Sequence, residues 1–72
     1  MIFLQELIAN YENCRLLLQS RIYELNKLLR NNTLQTIERQ VLTARRDMLT
    51  TERTELSMMI LDMKKHLKKE DN

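Results

Sequence analysis

The sequence predicts an all-α fold, an antiparallel hairpin of two long amphipathic helices, and three observations carry that expectation. Its 72 residues include no Gly and no Pro, the residues that interrupt helices and punctuate sheets. Apolar residues recur three and four apart over two long stretches. Between the stretches lies one short polar break, Asn31-Asn32-Thr33.

The first helix is expected over about residues 2–30. Leu4, Leu7, Tyr11, Cys14, Leu18, Leu25 and Leu28 fall at heptad spacing, with Arg21 as the one charged member of the seam. A second line, Ile8, Ile22 and Leu29, lies beside it. The stripe is thus wider than one helix–helix contact requires. In a lone hairpin the second line is expected to face water. Cys14, on the seam, is expected to be a buried packing cysteine.

The turn is expected at residues 31–33. Without Gly, Asn is the next best residue for a left-handed helix end, and Arg30 complements the negative pole of the helix before it. Asn32 or Thr33 is expected to cap the second helix, Asn32 having capping-box spacing to Gln35.

The second helix is expected over about residues 34–69. Its stripe reads Leu34, Ile37, Val41, Arg45, Met48, Glu52, Leu56, Met59, Met63, Leu67, in steps of three, four and four. That is an eleven-residue repeat, which predicts a nearly straight contact. Leu49 and Ile60 lie beside it. Folding the chain straight back at the turn sets Leu18 opposite Met48, Leu7 opposite Met59, and Arg21 opposite Arg45. The longer second helix should then overhang, leaving its basic end free.

Residues 1–72 make a single small domain, and a chain this short buries little of its surface unaided. Cys14 is the only cysteine, so no disulfide forms within one chain. One Cys and one His cannot supply a structural zinc site. Oligomerisation is the remaining remedy, and the expectation is a homodimer forming a four-helix bundle. Twelve basic and ten acidic residues give a net charge of +2, which does not call for a polyanionic partner. Met1-Ile2-Phe3-Leu4 is apolar but is cut short by Gln5 and Glu6, so no targeting or membrane segment is expected. A lone cysteine fits a reducing compartment, and cytoplasmic residence is the expectation.

No catalytic, cofactor or metal constellation is read from the sequence. His66 is distant from Cys14 along the chain, no Glu-x-x-His pattern accompanies Glu52 and Glu55, and phosphate loops need Gly. The expected role is that of a non-enzymatic structural or adaptor protein, binding itself and another protein by helix packing. Ile8, Ile22, Leu29, Arg21, Arg45, Glu52 and Met58 are the interface candidates. Met58 lies off its stripe, and the three charged residues interrupt apolar lines. The alternative role is a small nucleic-acid-binding regulator using Lys64, Lys65, Lys68 and Lys69. Glu70 and Asp71 directly after them, and the absence of an aromatic platform, argue against it.

Overall fold

The computed structural model describes residues 2–71, and the side chains of residues 3–69. The carboxylates of Glu70 and Asp71, weighed above against a nucleic-acid role, lie outside the described side chains. Helix α1 spans Ile2–Leu29 and helix α2 spans Thr36–Asp71. They pack against each other along their length in a rod of 56 × 14 × 14 Å.

Helix α1 ends where its sequence turns against helix. Asn31 folds its side chain onto the turn, its Oδ1 accepting from the Thr33 N–H at 3.0 Å and the Thr33 hydroxyl at 2.8 Å. This Asx turn offers the backbone a local alternative to the next helical bond. The last turn of α1 tightens as the Arg30 and Asn31 N–H groups donate to the carbonyls of Lys27 and Leu28. No described residue has a positive φ, so the left-handed Asn expected here is not used. Arg39 reaches back to bond the Leu29 and Asn31 carbonyls instead.

The cap of α2 also differs from expectation. The Gln35 N–H donates to Glu38 Oε1 at 3.3 Å, and the Gln35 carbonyl accepts the first helical bond, from Arg39 N–H, at 2.9 Å. Gln35 is therefore the cap and Glu38 closes one half of a capping box. Helix α2 starts later than the sequence suggested, because Asn31 has already spent Thr33 on its own turn.

The seam obeys one heptad rule on both helices. On α1 the seam runs through Leu4, Ile8, Tyr11, Arg15, Leu18, Ile22, Leu25 and Leu29, with Leu7, Glu12 and Asn26 half-buried beside it. On α2 it runs through Arg39, Leu42, Arg46, Leu49, Arg53, Leu56, Ile60, Met63 and Leu67, with Thr43 and Thr50 half-buried beside it. Each series alternates steps of three and four, the pattern of a left-handed coiled coil. Of the eleven-residue stripe expected for α2, Leu56, Met63 and Leu67 join the seam, but its first half does not: Ile37, Val41 and Met48 are 75%, 61% and 61% exposed. Arginine at three alternate seam positions, Arg39, Arg46 and Arg53, masks the true period.

The core is thin. Among the described residues the buried apolar side chains are Ile8, Ile22, Leu25, Leu49 and Ile60. Ile22, Leu25 and Leu49 form one cluster, with Leu18 and Leu42 packed against it. Arg15 and Arg53 take half-buried seam positions between that cluster and the Ile8 and Ile60 end. Their alkyl stems cover apolar surface while the guanidinium reaches water.

Ile8 and Ile22, expected to face water, are thus inside the hairpin, and Leu29 is half-buried. The seam has rotated by one row on α1, leaving Cys14, Arg21 and Leu28 exposed. The register has moved too. Asn26 meets Arg46, Glu12 meets Lys64, and Leu25 packs with Leu49. This sets α2 about two turns from the pairing drawn straight across the turn. Residues 30–35 carry the chain past the end of α1 before α2 begins. The extra length of α2 therefore projects at the turn, and the expected overhang of its basic end disappears.

Candidate interaction surface

The two flanks of the seam differ in chemistry. On one flank α1 presents Gln5, Glu12, Gln19 and Asn26, and α2 presents Thr43, Thr50, Ser57 and Lys64. Every member of these rows is polar. Lys64 Nζ pairs with Glu12 Oε1 at 2.7 Å, and Arg46 Nη1 donates to Asn26 Oδ1 at 3.3 Å. The Lys64 hydrogen bond, and then its charge, hold the Glu12 carboxyl below the usual carboxylate range. The Thr50 hydroxyl is satisfied within its own helix by the Arg46 carbonyl at 2.8 Å. This flank joins polar side chains of the two helices directly, through Lys64–Glu12 and Arg46–Asn26.

The opposite flank does not. Here α1 presents Leu7, Cys14, Arg21 and Leu28, backed by Phe3 and Leu17. Helix α2 presents Arg45, Glu52 and Met59, backed by Val41 and Met48. Cys14, Leu17, Leu18, Arg21, Glu52 and Leu56 line one shallow groove of about 350 Å³ between the helices. Arg21 and Glu52 face each other across this groove as opposite charges. The like-charge pairing of Arg21 with Arg45, expected from the straight register, is absent. Arg21 and Glu52 form no direct ion pair within the chain, the Lys and Arg ion pairs among the described residues being Arg46–Asp47 and Lys64–Glu12.

The candidate interface residues therefore separate. Arg21, Arg45 and Glu52 lie on the apolar flank, whereas Ile8 and Ile22 are occupied inside the hairpin. Met58 is 67% exposed but projects from the back of α2, away from both flanks. Leu17, Val41, Met48 and Met59 belong to the surface and were assigned by sequence to other roles or to none. Their signal was the heptad phase of α2: once Leu42, Leu49 and Leu56 define the seam, the neighbouring rows follow.

The lysine run offers less than its sequence suggests. Lys64 is tied to Glu12, while Lys65, Lys68 and Lys69 remain exposed. His66 is exposed, with Nδ1 3.0 Å from the Asp62 carbonyl one turn earlier. No group of three His, Cys, Asp or Glu that could hold a metal occurs among the described residues. No described helix is long and apolar enough to cross a membrane. Compared with family models, curated proteins and solved structures, the chain matches none.

Proposed function

We propose that this chain is a small non-enzymatic structural or adaptor protein that acts by helix–helix packing. It works as a homodimer whose two hairpins form a four-helix bundle through the flank bearing Leu17, Leu28, Val41, Met48 and Met59. One observation carries the reading. Among the described residues, eleven large apolar side chains are exposed and only five apolar residues are buried. Single exposed apolar residues are ordinary, but six of the eleven gathered on one flank of the seam, Phe3, Leu17, Leu28, Val41, Met48 and Met59, are not.

The supporting physics is a comparison of two states. Covering a Leu or Met side chain fully is worth roughly 1.5–3 kcal/mol. The hairpin core holds few such side chains, and a two-helix unit of this size needs help to stay folded. Pairing two copies through one flank covers several on each chain, while the polar flank stays in water. Leu16, Tyr23 and Leu61 are also exposed, but they lie beyond the polar rows on the other side and do not join the patch.

Light scattering on a dilution series tests this. The expected result is a mass of two chains at micromolar concentration, falling together with helicity on dilution. A fully helical, thermally stable species with the mass of one chain would overturn the proposal.

A further inference from the structure

We infer that Glu52 is the carboxylate by which this chain recognises a second copy of itself. Arg21 and Arg45 are then not equivalent: one of them meets Glu52 of the other chain, and the other is an unmatched charge. This inference rests on the self-association proposed above and names the residue that makes it selective.

The charges on the apolar flank do not balance. The rows next to the seam carry Arg21 on α1, and Glu38, Arg45 and Glu52 on α2. Glu38 is already engaged at the cap, where it accepts from the Gln35 N–H at 3.3 Å. Glu24, Glu55 and Asp62 stand one row further out and are exposed. Glu52 instead lines the groove with Cys14, Leu17 and Arg21. It forms no ion pair among the described residues. A second chain laid on this flank therefore meets one available carboxylate and two guanidiniums.

Two hairpins meeting through one flank have two symmetric choices, and both bring Glu52 to an arginine. The register sets Arg21 level with Glu52, and Leu28 level with Arg45. With the turns at the same end, each level meets itself: Glu52 faces Arg21 of the second chain, and Arg45 faces its Leu28. With the turns at opposite ends, α2 lies along α2 of the second chain and can slide by whole heptads. Centring on Arg45 or on Glu52 stacks like charges. The setting between them pairs Glu52 with Arg45 twice and lays Arg21 on Leu28. Opposite charges that close a covered contact strengthen it, whereas an unmatched guanidinium there opposes it. Glu52 is common to both choices, and the arginine that answers it is not.

Sedimentation equilibrium on the full chain and its variants tests this, with helicity checked by circular dichroism. Arg21, Arg45 and Glu52 are all exposed in the hairpin, so neutral replacements spare its core. Glu52→Gln should weaken self-association about tenfold, the order expected when one side of a covered ion pair loses its charge. Arg21→Met and Arg45→Met keep an apolar stem and remove the charge. One of the two should weaken pairing about tenfold, and the other should leave it unchanged or tighten it. In a Glu52→Gln background the weakening substitution should no longer weaken, because the pair is already broken. Weakening by Arg21→Met places the turns at one end, and weakening by Arg45→Met places them at opposite ends; Glu52 keeps its role in both. A Glu52→Gln chain that pairs as tightly as the parent, or two arginine variants that shift in the same direction, would overturn that role while leaving the dimer intact. A parent sample with the mass of one chain would overturn the dimer itself.

Discussion

Arg39 ties the start of α2 to the end of α1 by donating from Nη1 to the Leu29 carbonyl oxygen at 2.7 Å. Its Nη2 donates to the Asn31 carbonyl at 2.9 Å. The last carbonyls of a helix have no partner of their own, and they carry the negative pole of its dipole. One guanidinium answers both needs, and it does so from the other helix. The hairpin is therefore closed by a side chain as well as by the turn.

Arg39→Ala should accordingly destabilise the hairpin by about 1–2 kcal/mol, the lower range for charge-assisted hydrogen bonds because the site is partly wet. Arg39→Lys should recover little of this, since an ammonium cannot reproduce the fork that spans two carbonyls. Urea melts followed by circular dichroism would decide it. Equal stability of the parent and the Ala variant would remove Arg39 from the closure.

The turn makes a second test. Asn31 works through its side-chain oxygen and no described residue uses positive φ. Asn31→Gly should therefore destabilise, by about 0.5–1.5 kcal/mol for the lost bonds and the freer unfolded chain. Asn31→Asp should be tolerated. A Gly variant more stable than the parent would mean that a left-handed residue is used in solution.

These two sites also mark how far the sequence could be read. Two helices and a break near Asn31 follow from missing Gly and Pro and from the three-and-four spacing. The phase of the seam does not follow from apolarity alone. On α1 three adjacent rows are apolar, and any two of them could make the contact. On α2 Arg39, Arg46 and Arg53 occupy seam positions, so counting apolar residues finds a false stripe through Val41 and Met48. Register then slipped with the phase, since it depends on how residues 30–35 climb past the end of α1. Arg21 and Glu52 stood out as charges within apolar lines, but only the three-dimensional register shows them level with each other.

Ile22 provides the contrast between core and surface. Buried against Leu25 and Leu49, it should cost about 2–5 kcal/mol when truncated to Ala. Ile22→Glu should unfold the chain at any concentration. Leu17→Glu, at a side chain 67% exposed, should leave the folded hairpin's own contacts intact and weaken pairing. Helicity measured across a dilution series separates the two effects. Identical behaviour of the Ile22 and Leu17 variants would erase the distinction between seam and flank.

Acid should weaken the polar flank. Glu12 has a folded pKa held below its ordinary value by Lys64. A depressed carboxylate contributes stability above the unfolded pKa and loses it as pH falls through the folded one. The contribution should thus be complete at neutral pH and fade below the ordinary carboxylate range. It should be small, because the pair is exposed and screened by salt. Glu12→Gln should flatten this part of the pH profile. An unchanged acid limb in that variant would show that Lys64 does not hold Glu12 in solution.

Cys14 reports on assembly most directly. The sequence placed it on the seam, as an inert packing residue, whereas the hairpin leaves it exposed on the groove with Leu17 and Arg21. A thiol in a lone hairpin should react with an aromatic disulfide reagent at nearly the rate of a free cysteine. In the proposed dimer the same thiol is covered by the second chain. Its reaction should therefore slow as protein concentration rises, with half-protection at the concentration where the light-scattering mass is midway between one chain and two. Met48→Glu, on the same flank but outside the groove that holds the thiol, should move that midpoint upward. Fast reaction at every concentration, in a sample whose mass is that of two chains, would mean that the chains pair through some other face.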